Sequence, residues 1–159
     1  MDTLPKGCPL RGLAFRRLTS KDKPLVVSLF QKCFPELPLE DLNISWDYRS
    51  HSHSYGFWKG STLVGFALGS YHRRSGGSLY IDYFALDESA RGNGLGTQIL
   101  KAFLATFEGS IHLFPISEAI AAWYSRNGFR NSGSGYYVYN TYKLRSRAAT
   151  KAHEQTLSK

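Results

Sequence analysis

The chain has 159 residues, 42% of them hydrophobic and 14% aromatic, which suits one globular domain with an ordinary core and excludes a disordered chain. Its formal charge is +8, but no apolar run reaches the roughly 18 residues of a membrane span, and residues 1–12 lack the apolar core of a secretory signal. The two cysteines, Cys8 and Cys33, form no CxxC pair and suit reduced thiols, so an intracellular and cytoplasmic protein is expected.

In chain order, Leu13 to Leu18 reads as a first strand. Thr19 or Ser20, with Pro24 just inside, marks a helix start, and Leu25, Val26, Leu29, Phe30 and Cys33 form its apolar face up to Phe34-Pro35. Residues 36–47 hold Glu36, Glu40, Asp41 and Asp47 without one base. Such a cluster is either the ordinary acidic first turn of a helix or a collar for a cationic substrate. His51 and His53 lie two apart on a polar loop, a pattern of solvated loops more than of metal sites. Ser54 to Lys59 and Thr62 to Tyr71 read as a hairpin across Gly60-Ser61, and Arg73 to Gly77 as a turn into an apolar strand, Leu79 to Leu86. Strict alternation on that strand places Tyr80, Asp82, Phe84 and Leu86 on one face and Leu79, Ile81, Tyr83 and Ala85 on the other. Asp82 then stands in an apolar stretch, where a carboxylate must be paired or functional.

Arg91-Gly92-Asn93-Gly94-Leu95-Gly96 follows, and Gln98 to Phe107 carries Ile99, Leu100, Phe103, Leu104 and Phe107 at helical spacing. A strand, a glycine turn and a helix N-terminus make an anion cradle of free backbone N–H groups. It is not a P-loop, since Thr97 and Gln98 stand where Lys and Ser or Thr belong, and the glycine spacing does not fit the dinucleotide fingerprint. Ser110 to Phe114 reads as the next strand, Ser117 and Glu118 as a helix start, Asn131 to Gly135 as a turn and Tyr136 to Leu144 as a last aromatic strand. Beyond it, Lys143, Arg145, Arg147, Lys151 and Lys159 oppose only Glu154. Half of the excess charge therefore lies from Lys143 onward, and the tail, residues 145–159, is too poor in apolar groups to join the core and is expected to be flexible.

The glycine turn resembles the acetyl-CoA motif of the GNAT N-acetyltransferases, R/Q-x-x-G-x-G/A, filled by Arg91, Gly94 and Gly96, with Leu86 five residues ahead. A second motif of that family is matched by Ile120-Ala121-Ala122-Trp123-Tyr124-Ser125-Arg126-Asn127-Gly128-Phe129. The resemblance covers roughly residues 13–144. It implies an α/β (α+β) fold with a mixed, strongly twisted sheet flanked by helices, in one domain over residues 1–144. It also implies acetyl-CoA as cosubstrate, without a metal, held by Phe84, Ala85, Leu86, Arg91, Gly92, Asn93, Gly94, Leu95, Gly96 and Thr97. Its pantetheine arm would lie between two splayed strands. Ser117, which stands where the family often has an asparagine, is the expected pantetheine contact there, with a hydroxyl in place of an amide donor. A homodimer through the sheet edges is a further expectation.

The resemblance assigns Tyr124 the role of acid toward the leaving thiolate. Asp82, as candidate general base, would take the proton that keeps an alkylamine of pKa near ~10 unreactive at neutral pH. The acceptor is expected to be a primary amine, with Asp82, Glu40, Asp41 and Trp46 as its wall. A polyamine of the diamine and polyamine branch suits the acid cluster. The alternatives are a lysine or N-terminal amine of a protein, or, in another class, a non-catalytic module that binds CoA or, through its tail, nucleic acid. A solvated tail is the plainer reading, so nucleic acid and membrane are not expected partners.

Overall fold

A computed structural model describes residues 12–92 and 94–141. Cys8, Asn93, Tyr142 and the basic tail 145–159 lie outside the described residues. Leu13–Arg17 (β1), Tyr55–Lys59 (β2), Thr62–His72 (β3) and Ser78–Leu86 (β4) make an antiparallel meander. Ser110–Leu113 (β5) joins β4 in parallel, and Arg130–Asn131 (β6) and Tyr137–Asn140 (β7) complete a seven-stranded sheet of order β1-β2-β3-β4-β5-β7-β6. The helices are Lys23–Cys33 (α1), Leu39–Asp47 (α2), Leu95–Leu104 (α3) and Glu118–Arg126 (α4).

Each helix follows from its sequence. A short 3-10 turn, Ser20–Asp22, precedes α1, with Thr19 and Asp22 as a reciprocal capping box and Pro24 in the first turn. The acids Glu40 and Asp41 fall in the first turn of α2, where the helix dipole favours them. On α3, Ile99, Leu100, Ala102, Phe103 and Leu104 are buried. That helix begins three residues earlier than its apolar spacing indicates, because Leu95 to Thr97 turn helically at once after the glycines.

Two cores lie on opposite faces of the sheet. One gathers Phe57, Leu79, Ile81, Ile99, Phe103, Ile111, Leu113, Tyr124 and Phe129 under α3 and α4. The other gathers Leu18, Val26, Phe30, Leu42, Trp46, Phe66 and Leu68 under α1 and α2. Strict alternation fails on β4. Between Leu68↔Tyr83 and Gly69↔Ile81 the register shifts by one residue, so Asp82 is the extra residue of a β-bulge. Leu79, Ile81, Phe84 and Leu86 consequently share the α3 and α4 face, while Tyr83 and Ala85 face α1 and α2. The sequence-based expectation that Phe84 and Leu86 share a face with Tyr80 and Asp82 is corrected by that bulge.

Opposite the end of β4, Gly65 pairs with Leu86. A Cβ at Gly65 would stand 2.7 Å from the Ala85 carbonyl oxygen and 2.8 Å from the Phe57 ring, and a backbone atom has no rotamer with which to retreat. Gly65→Ala is expected to cost about 1–3 kcal/mol by overpacking, measured as a shift in the urea midpoint without a change in slope.

Candidate active site

The parallel ladder between β4 and β5 contains Leu79↔Ile111, Tyr80↔His112 and Ile81↔Leu113. There β5 ends, whereas β4 continues to Leu86, so the strands part like a fork. Asp82 to Leu86 keep β3 on one side and have no strand on the other. Backbone groups on that free side must find water or a ligand. A cavity of about 570 Å³ occupies the opening. Its walls come from the end of α1 (Cys33, Phe34), β4, the glycine turn, the segment after β5 (Phe114 to Ile116) and α4 (Ile120, Trp123, Tyr124).

At the wide end of the fork lies the anion cradle. Gly92 (φ +86°) and Gly94 (φ +75°) are left-handed, and a Cβ at either would meet nothing within 4 Å, so the turn presents open space. Gly94 is the N-cap of α3 and has no side chain to satisfy the first amides. Those of Gly96 and Thr97 are left for an anion. The Arg91 Nε donates to the Leu86 carbonyl at 2.9 Å, tying the turn to the end of β4. Lys32 clamps the same segment from α1 through Asp87 at 2.5 Å, and that ion pair holds the Asp87 carboxyl down at about 2. These groups fit a polyphosphate whose arm runs down the fork.

At the narrow end Asp82 opens into the cavity. Burial of its surroundings raises its carboxyl above the ordinary range, against the lowering effect of hydroxyl donors from Ser45 and Ser70; the Ser70 contact is 3.4 Å. Tyr124 lines the opposite side and is 6% exposed. Its ring is wedged between Trp123 and Phe129 at 5.0 and 5.2 Å, and burial raises its phenol far above the ordinary value. A phenol so raised stays protonated at any physiological pH and suits a donor rather than a base.

The structure brings together Asp82, Tyr124, Phe84, Ala85, Leu86, Arg91, Gly92, Gly94, Gly96 and Thr97 around one cavity. Others of the expected site residues stand elsewhere. Leu95 packs on the core under α3. Ser117 is the N-cap of α4 and accepts from the Ile120 amide at 3.2 Å. Glu40 and Asp41 are exposed on α2 and do not line the cavity. Trp46 is 4% exposed in the second core, under the Arg49 guanidinium at 3.9 Å, so the wall role assigned to it is corrected to packing. Asn93 is outside the described residues. His53 bonds Ser50 Oγ through Nδ1 at 2.8 Å and packs edge-on against Phe107, a structural histidine.

Sequence reasoning missed two groups. Tyr80 and His112 face each other across the β4–β5 ladder, ring centroids 4.7 Å apart and nearly parallel at 15°. The His112 Nε2 is buried without a hydrogen-bond partner, and burial lowers its pKa, keeping it neutral. The pair stands on the side of Asp82 away from Tyr124, where Tyr136 and Phe114 extend it. Its sequence signal was the polar residue between Ile111 and Leu113. The Cys33 and Phe34 wall was also missed, since only the fork shows that the last turn of α1 reaches the cavity.

Residues 20–129 match the model of the Acetyltransferase (GNAT) family. Among solved structures, an acetyltransferase from Thermus thermophilus is 24% identical, with TM-score 0.62 over 80% of this chain and 96% of that one. Arabidopsis thaliana Naa50, solved with a bisubstrate analogue, is 15% identical with TM-score 0.61 over 80% and 96%. The ribosomal-protein-S18-alanine N-acetyltransferase of Escherichia coli is 16% identical with TM-score 0.63 over 76% and 79%. A comparison with curated protein sequences gave no match. With the forked sheet, the glycine cradle and the family model in agreement, the chain belongs to the GNAT acetyltransferases. It is an N-acetyltransferase with acetyl-CoA as cosubstrate, and the cradle and fork fit that molecule's phosphates and arm.

A β-branched residue at Gly94 would meet a backbone region costing about 1–3 kcal/mol. Gly94→Val is therefore expected to lower thermal stability by about that amount and, as the turn relaxes away from the cradle conformation, to weaken acetyl-CoA binding about tenfold, read by thermal unfolding and calorimetric titration.

Proposed function

We propose that the acceptor is an amine of modest basicity with an uncharged neighbourhood, the α-amine of a peptide or protein N-terminus, rather than a polyamine. The observation that carries this is charge. Of the described residues lining the cavity, Asp82 is the single carboxylate, whereas a polyamine needs several anionic contacts along its length. Phe34, Tyr83, Phe114, Ile116 and Ile120 supply the rest of much of the wall. An α-amine has a pKa of about 8, so its neutral form is common at neutral pH, while an alkylamine pays roughly 4 kcal/mol. The neutral His112 and the desolvated Asp82 are weak bases matched to the first task and poorly matched to the second.

The reaction then reads as follows. The amine enters from the face of Asp82, Tyr80 and His112, and its proton leaves to Asp82 or, on a second reading favoured by the unpartnered Nε2, to His112. The nitrogen forms a bond to the thioester carbonyl, whose oxygen is polarised by a backbone amide on the free side of β4 between Phe84 and Leu86. The carbon–sulfur bond breaks, and Tyr124 gives its proton to the departing thiolate. Holding both reactants in one slot supplies much of the rate by proximity.

Release of CoA thiol is to be followed with a free-N-terminus peptide, the same peptide N-blocked but containing lysine, and spermidine. Turnover confined to the free N-terminus is expected; faster turnover of spermidine would overturn the acceptor assignment. Tyr124→Phe should lower kcat about 100-fold or more with little change in KM. The acid limb of kcat should fall between the ordinary carboxylate and imidazole ranges, because Asp82 is raised and His112 lowered, and activity is lost as pH drops and the base takes its proton. Loss of that limb in Asp82→Asn, with its retention in His112→Gln, would assign the base to Asp82, and the converse to His112.

A further inference from the structure

The apex of the fork has two chemically unlike faces. Where the ladder stops, Ile81 and Leu113 are a register pair, both buried and both turned to the α3 and α4 face. Phe84 and Tyr124 line the cavity on the same face. On the opposite face stand Asp82 at its bulge and the Tyr80–His112 pair. An arm entering from Gly92 to Thr97 descends between the strands until they pair again, and beyond Ile81 and Leu113 there is no passage between them.

The tip of such an arm meets polar groups on one side and hydrocarbon on the other. An acyl methyl leaves water most favourably on the hydrocarbon side, which also keeps the polar side clear for the incoming amine. We propose that the pair Ile81 and Leu113, closing the fork beneath Tyr124, is an end-stop that measures the acyl group and holds the donor to two carbons. This rests on the acyl-transfer reading above. The stop is rigid because each member belongs to a ladder on both flanks: Ile81 pairs with Gly69 as well as Leu113, and Leu113 with Tyr137 as well as Ile81. An extra methylene must then displace a strand rather than a rotamer, and close-packed interiors resist such insertion.

The test uses the full chain with CoA, acetyl-CoA, propionyl-CoA and butyryl-CoA, each titrated by calorimetry and then assayed with the peptide acceptor. Wild type is expected to favour acetyl over butyryl by about 100-fold or more in kcat/KM, since an apolar pocket gives about tenfold per methylene and butyryl adds two. Leu113→Ala should shrink that ratio about tenfold while CoA itself binds as before. Should the alanine variant fail to fold, Leu113→Val and Ile81→Val open the apex by smaller steps and should shift the ratio toward propionyl-CoA in the same direction. An unchanged ratio in the folded variants, or a wild type indifferent to chain length, overturns the end-stop while leaving the acetyltransferase intact. Failure of any CoA species to bind overturns the donor reading and the end-stop with it.

Discussion

The parting of β4 from β5 after Ile81 is the constraint on which the rest of the molecule depends. A strand at the middle of a sheet ordinarily has its backbone groups satisfied on both sides, and an unpaired stretch leaves groups that must bond to something else. Here five residues of β4 lose one neighbour at the centre of the protein. Everything near them can be understood as management of that loss. The Leu86 carbonyl is taken by the Arg91 side chain, with the Cys33 thiol at 3.6 Å, Lys32 braces the following segment through Asp87, and the bulge at Asp82 turns the last stretch so that its apolar side chains still reach the core under α3 and α4. The gap left over is the site.

Electrostatics in the site follow from burial more than from charge pairing. Asp82 is raised and His112 lowered chiefly by the protein packed around each, and both shifts favour the neutral form. Tyr124 is pushed the same way. Asp82 and Tyr124 thus line the cavity with their neutral forms favoured by burial, while the glycine turn at its far end offers backbone dipoles and Arg91 to an anion.

Apart from the two-residue β6 and from α2, whose acids left two readings open, the order of strands and helices was legible in the sequence because periodicity, caps and glycine turns are local signals, and the Arg91 to Thr97 cradle and Tyr124 were legible from motif and spacing. Three features were not. The face reversal on β4 comes from one added residue, and alternation counted along a single strand has no term for its neighbour's register. Trp46 lies in the acidic stretch and was read with its neighbours, whereas its burial depends on α2 lying against β3. His112 and Tyr80 are 32 residues apart and meet only through the parallel ladder, a pairing that no local pattern encodes. In each case the missing information was a partner distant in sequence.

The narrowness of that ladder has a mechanical side. Within the sheet, the half built of β1 to β4 is stitched to the half built of β5, β7 and β6 by the three pairs from Leu79 to Ile81. A long molecule that bonded to both halves above that seam would act as a splint, completing across the gap the cohesion that the missing pairs would have given.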